Sequence, residues 1–219
     1  MKISINKLGE YLNANPARRQ QIIRDQKDPK PFVIQRYRSA RKAIIEYFSS
    51  GTGDKEIIKD HIEELIKREY RSKFDEQDIL LSIRALELFA ASNVELDLSS
   101  HRVINSNSRE SKINIEGLSI SVHPDVIIHG TLRGEEFVGA IKLNISKSNV
   151  LDDNTGAYIS TILHKYLQIR YPDKKVQLGF CVSYDVFTSK IYSAPKSFKL
   201  RRKQIAAACK EIKLIWPHV

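Results

Sequence analysis

Apolar positions recur at helical spacing through the first ninety or so residues and then, after Asn93, switch to alternation. Residues 7–13 read as a short amphipathic helix. Asn15 followed by Pro16 is a helix-start signal: the Asn side chain accepts from free first-turn amides, and proline fits the first helical position without losing a bond. A basic helix follows through Arg24, and residues 27–31 read as a turn. Val33, Tyr37, Ala40, Ile44, Ile45 and Phe48 place an apolar stripe on a helix over residues 32–49, which the Ser-Ser-Gly-Thr-Gly segment ends. Residues 54–70, with Ile57, Ile58, Ile62, Leu65 and Ile66 on one side, and residues 75–91 are the two clearest helices.

Beyond Asn93, residues 103–105, then Ile113 with Ile115, then Ile120 with Val122, alternate with polar residues as half-buried strands do. Residues 126–128 are a short apolar run, 131–134 a turn, and 137–145 another strand with a Gly-Ala step. An amphipathic helix over 153–170, a strand over 176–184 and a basic helix over 196–215 complete the chain. From Asp75 the order is helix, three antiparallel-capable strands, helix, strand, helix. That order predicts an α/β (α+β) protein, a mixed sheet flanked by helices on both faces, with a helical basic region over 1–72 and an α/β domain over 73–219.

Apolar residues make up 42% of the 219 positions and are spread along the chain, enough to build a core. No run approaches the ~18 consecutive apolar residues of a membrane span, and the N-terminus lacks the basic-then-apolar pattern of a signal peptide. A cytoplasmic protein without a membrane partner is expected. Cys181 and Cys209 have no second cysteine at metal-ligand spacing and read as reduced core thiols. Lys and Arg outnumber Asp and Glu by 36 to 26, a net charge of +10. Such a balance attracts polyanions, of which nucleic acid is the commonest.

The chemistry concentrates in HPDVIIHGTLRGEEFVGAIKLNISKS, which begins at His123. Adjacent antiparallel strands, ~4.8 Å apart, bring Asp125 beside position 140, and position 142 lies on the same face. Lys142 interrupts the apolar face of its strand, so its ammonium should have an anionic partner or a water-filled cleft; a lysine at the sheet edge with its head in solvent is the competing explanation. Asp125 after Pro124 also fits an ordinary turn residue or backbone cap. His123 and His129 read as surface histidines.

A Pro-Asp at the start of one strand, a hairpin, and a lysine in the middle of the next resemble the metal-binding stretch of PD-(D/E)XK nucleases. The resemblance covers about residues 75–190 and rests on Asp125, Lys142 and the order of elements. It implies a restriction-endonuclease-like αβββαβ core holding Mg²⁺ or Mn²⁺. Asp125 would be a metal ligand, and Lys142 would orient the attacking water or stabilise developing charge. The triplet reads Ala140-Ile141-Lys142, so the second acid is missing where the family places it. Glu87, on the preceding helix, ranks first as its replacement and second metal ligand. Glu116, Glu136, Asp152 and Asp153 are the other candidates, with Glu136 roughly 13 Å along the strand from position 140. Lys165 and Gln168, on the helix after Lys142, match positions where related nucleases place polar residues for phosphate or metal-bound water.

Arg18, Arg19, Arg24, Lys27, Lys30, Arg36, Arg38, Arg41 and Lys42 crowd into one span with Phe32 and Tyr37 among them. Cations position a phosphate backbone, and residues 4–26 suit a helix-turn-helix-like arrangement; Arg36, Arg38, Arg41 and Lys42 are the expected nucleic-acid contacts. The bland alternative is a solvated helix face, with Arg38 and Arg41 answering Glu46 or other acids. Three functions compete. A metal-dependent DNA nuclease, of a restriction or defence system, leads; a catalytically degenerate nucleic-acid-binding subunit of a larger complex explains Ala140 more simply; a basic module for an acidic protein partner is third. A homodimer or a partner subunit is compatible with each.

Overall fold

The computed structural model describes residues 1–29, 36–93, 96–106 and 111–219. A short strand, β1 (Lys2–Ser4), runs into α1 (Ile5–Asn13), whose first turn is capped by the Ser4 hydroxyl accepting from the Lys7 amide. Asn15 caps α2 (Pro16–Lys27) in the same way, accepting from the Arg18 amide at 2.9 Å with Pro16 at the first helical position. The next helices are α3 (Arg38–Ser50), α4 (Glu56–Lys67) and α5 (Lys73–Ala91). Ser72 caps α5 and Asp75 and Glu76 sit in its first turn, where negative charge suits the exposed amides. Lys30, Phe32 and Val33, all singled out in the sequence, lie outside the described residues. Helix α3 starts directly after Tyr37, which has left-handed backbone (φ 62) and donates its amide to buried Asp78 Oδ1 at 2.7 Å.

The strands β2 (Arg102–Asn105), β3 (Lys112–Ile115), β4 (Leu118–Ser121), β5 (Val126–Leu132) and β6 (Glu135–Asn144) lead to α6 (Asp153–Arg170). After it come β7 (Lys175–Asp185), β8 (Lys190–Ser193), α7 (Phe198–Ile215) and a 3₁₀ turn over Trp216–His218. Among the described residues the strands form two sheets, ordered β1-β4-β3 and β2-β5-β6-β7-β8. The hairpin between β5 and β6 turns on Arg133 and Gly134, both at positive φ, as a two-residue loop of primed type requires. β6 and β7 are parallel and therefore need the long connection that α6 supplies. Gly139 lies at a register shift between them, where an added Cβ would meet the Phe180 carbonyl oxygen at 2.7 Å.

Alternate residues of the central strands feed two apolar layers. Ile127, Val138, Ala140 and Cys181 pack with Leu8, Ile159, Leu163 and Ile212 on the side of α1, α6 and α7. Val126, Ile128, Ile141 and Val182 pack with Ile44, Phe48, Leu86 and Phe89 on the side of α3 and α5. The result is an α/β architecture with N-terminal helices, a mixed sheet and flanking helices. Residues 1–72 contribute to both layers, and β1 pairs parallel with β4. Both cysteines are free and buried, and burial pushes the Cys209 thiol up to about 12. Among the described residues no helix is long and apolar enough to cross a membrane.

Candidate ion triad and cleft

Asp125 sits one residue before β5 and its amide donates to the Ile141 carbonyl at 2.9 Å. The register Val126↔Ile141 therefore sets Asp125 opposite Lys142, and the two side chains meet on one face. The carboxylate is only 7% exposed. Its Oδ2 accepts from Lys142 Nζ at 3.1 Å and from the Leu143 amide at 2.8 Å, while Oδ1 accepts from Arg41 Nη1, reaching in from α3. Lys142 Nζ also donates to the His123 carbonyl at 2.7 Å. Burial alone would raise the Asp125 carboxyl, but Lys142, Arg41 and the Leu143 amide outweigh it and hold the group below its ordinary value. Burial pushes the Lys142 ammonium down, Asp125 opposes the shift, and Arg41 adds to it.

These side chains floor an open cleft of about 500 Å³, with Ile45, Ser106, His123 and Pro124 among its walls. His123 has left-handed backbone (φ 40), and its Nε2 lies 2.9 Å from the Ser111 hydroxyl. Its imidazole is held below the ordinary histidine value by burial and then by Lys142, Lys2 and Lys112, with Asp125 alone opposing. Two cations, Arg41 and Lys142, face the single carboxylate of Asp125, so the cleft carries excess positive charge.

The expected Mg²⁺ or Mn²⁺ centre is corrected by this geometry. Among the described residues no group of three His, Cys, Asp or Glu side chains is placed to hold a metal ion. The oxygens of Asp125 are occupied by fixed donors, and Ala140, where the resemblance implies a second acid, is fully buried in an apolar layer. The replacement acids are spent elsewhere. Glu87 lies on the exposed side of α5, 3.2 Å from Arg84, and does not line the Asp125 cleft. Glu116 faces Lys210, Glu136 faces Lys174, Asp152 caps α6, and Asp153 is exposed in the first turn of that helix.

The expected nucleic-acid contacts separate into groups. Arg38 and Lys42 are exposed on α3 beside Arg41; Arg36 stacks over the Phe74 ring at 4.4 Å. Glu46 pairs with His61, leaving Arg41 to Asp125. Lys165 and Gln168 face α7 instead of the cleft: Gln168 Oε1 accepts from Arg202 Nη2, which also donates to His164 Nδ1 at 3.0 Å. Burial and then the Arg202 charge depress buried His164 to about 4, so it is neutral near pH 7. The basic helix α2 spends part of its charge internally, Arg18 on Glu10, Arg19 on Glu211, and Lys27 on the Trp216 and Val219 carbonyls. Sequence reasoning missed both arginine anchors, Arg41 on Asp125 and Arg202 on His164. The only signal for the first was that Lys142 demanded an anion.

No protein-family model matches the chain, and no curated protein matches it.

Proposed function

We propose that this chain is a nucleic-acid-binding module on a restriction-endonuclease-like core, with the Asp125–Lys142–Arg41 ion triad standing where a hydrolytic centre would be. One observation carries the reading: both oxygens of Asp125 are filled by fixed cations and a backbone amide. A carboxylate so engaged stabilises the strand ends and is closed to other work. The order helix α5, strands, α6, β7 supports the core assignment, and the pairing of Asp125 with Lys142 across β5 and β6 supports its alignment. Net charge supports the ligand class, since +10 remains after the internal pairs are counted against an equal number of acids. Exposed Arg38 and Lys42 lie on α3, the helix that sends Arg41 into the cleft, and provide phosphate contacts. Recognition within a larger complex suits such a module, and the buried thiols suit a reducing compartment such as the cytoplasm.

Fluorescence anisotropy with labelled duplex and single-stranded oligonucleotides, from about 50 to 200 mM salt, tests the reading. Affinity falls steeply with salt if it holds, and EDTA leaves the curve unchanged. Salt-independent binding, or none at the lowest salt, would refute it.

A further inference from the structure

The triad is unbalanced. Arg41 and Lys142 carry two positive charges to the single negative charge of Asp125, and among the described residues no second carboxylate pairs with either cation. Lys142 places two of its three N–H groups on Asp125 and His123, and Arg41 places one nitrogen on Asp125. Excess positive charge at a mostly buried site is costly, because little water reaches it to solvate the cations. The side chain of Lys142 is 13% exposed and that of Arg41 24%, and both open onto the cleft. An anion entering from solvent would accept the spare donors and neutralise the excess.

The surroundings narrow the anion. Exposed Arg38 lies three before Arg41 on α3, on the neighbouring turn of the same side, so the helix adds a cation next to Arg41. Exposed Lys2 and Lys112 act on His123 from the β1-β4-β3 sheet. A single small anion needs one pocket; cations continuing on two sides of it suit a polymer with repeated negative charge. About 500 Å³ exceeds the volume of one phosphate group, and Ile45 and Pro124 offer apolar wall to an adjoining sugar.

We infer that this cleft is a metal-free phosphate pocket that seats one backbone phosphate of a nucleic-acid strand against Arg41, Lys142 and His123. Asp125 fixes the two cations in place and limits their charge, so the pocket binds without activating water. The phosphate chemistry follows from the triad alone; its source in a nucleic-acid strand rests on the function proposed above.

The test separates the two. At fixed pH and constant ionic strength, inorganic phosphate replaces chloride while the His123 ring resonance is followed by NMR, assigned through His123→Gln. A saturable shift of that resonance is expected. A labelled oligonucleotide should give a shift of the same resonance, and Arg41→Gln should weaken its binding by about tenfold, the cost of one charge-assisted hydrogen bond. Arg41→Lys, which keeps the charge and loses the planar fork, should fall between. Should Arg41→Gln fail to fold, the His123 response in the wild type still decides. Oligonucleotide binding with an unmoved His123 resonance overturns the pocket and leaves the proposed function standing. A phosphate response without oligonucleotide binding keeps the pocket, refutes the nucleic-acid source, and refutes the function with it.

Discussion

Asp125 and Lys142 face each other across the β5–β6 pair, and Arg41 of α3 shares the same carboxylate from the far side of the cleft. Removing the anion would leave two cations at a mostly buried site. Asp125→Ala is expected to cost about 3–5 kcal/mol in urea unfolding at pH 7, the usual penalty for breaking a buried pair by deleting one partner. Lys142→Met should cost less, because Asp125 keeps Arg41 and the Leu143 amide. Asp125→Ala unfolding at the wild-type urea midpoint would show that the triad does not stabilise the fold.

Acid should act in two windows. The folded His164 value of about 4 lies below the ordinary 6.5, so the unfolded chain binds the proton first and stability falls as pH drops from about 6.5 to about 4. Asp125 is held below 3.8, so its contribution is complete above that value and is lost as pH falls through the lower, folded one. Urea midpoints measured from pH 7 to pH 2.5 should show both declines. His164→Gln should flatten the upper and Asp125→Asn the lower; a His164→Gln profile identical to wild type would place its titration elsewhere.

Ala140 pairs with Ile127 and Cys181 in register and is packed among Val138 and Ile159. Ala140→Glu, the acid that the resemblance implies at this position, therefore inserts a carboxylate into an apolar layer. Its expected effect is a loss of several kcal/mol by thermal or urea unfolding, with no gain of cleavage. A folded Ala140→Glu protein of wild-type stability would mean that this side of the strand is more open than its packing indicates.

The helices and the central hairpin were legible because their signals are local: Asn15 before Pro16, the helical spacing over residues 54–70 and 75–91, and the apolar run at 126–128 followed by a turn and the strand at 137–145. β1 has three residues and β8 four, too few for a period to show; β1 exists through β4, distant in sequence, and β8 through the neighbouring end of β7. The division into two sheets was hidden for the same reason. Within the site, the face shared by Asp125 and Lys142 followed from strand periodicity. The contact of Arg41 with Asp125 spans 84 residues and depends on how α3 docks, which no local pattern encodes. Glu87 was favoured by analogy alone, and its place on α5 turns it to solvent beside Arg84. Lys165 and Gln168 were placed on the right helix, but α6 turns them toward α7 and away from the cleft.

Charge on the exposed side of α3 should set the salt dependence. Arg38→Ala with Lys42→Ala removes two cations that have no ion-pair partner among the described residues, and should lower the slope of log Kd against log salt by up to about 1.8 on duplex DNA. Thermal stability should stay within about 0.5 kcal/mol of wild type, since both side chains are exposed. An unchanged slope would move the footprint to Arg201, Lys203 and their neighbours on α7.

The Asp125 triad is proposed to stand in place of a metal centre in a chain that binds nucleic acid without cutting it. Anisotropy of a labelled oligonucleotide, with the integrity of the same strand read on a denaturing gel, tests it in EDTA and again in Mg²⁺ or Mn²⁺. Salt-sensitive binding in all three conditions, with no gain of affinity on adding the metal and the strand intact, is the result predicted. Metal-dependent loss of the strand that Lys142→Ala abolishes, or no binding in EDTA at low salt, would contradict it.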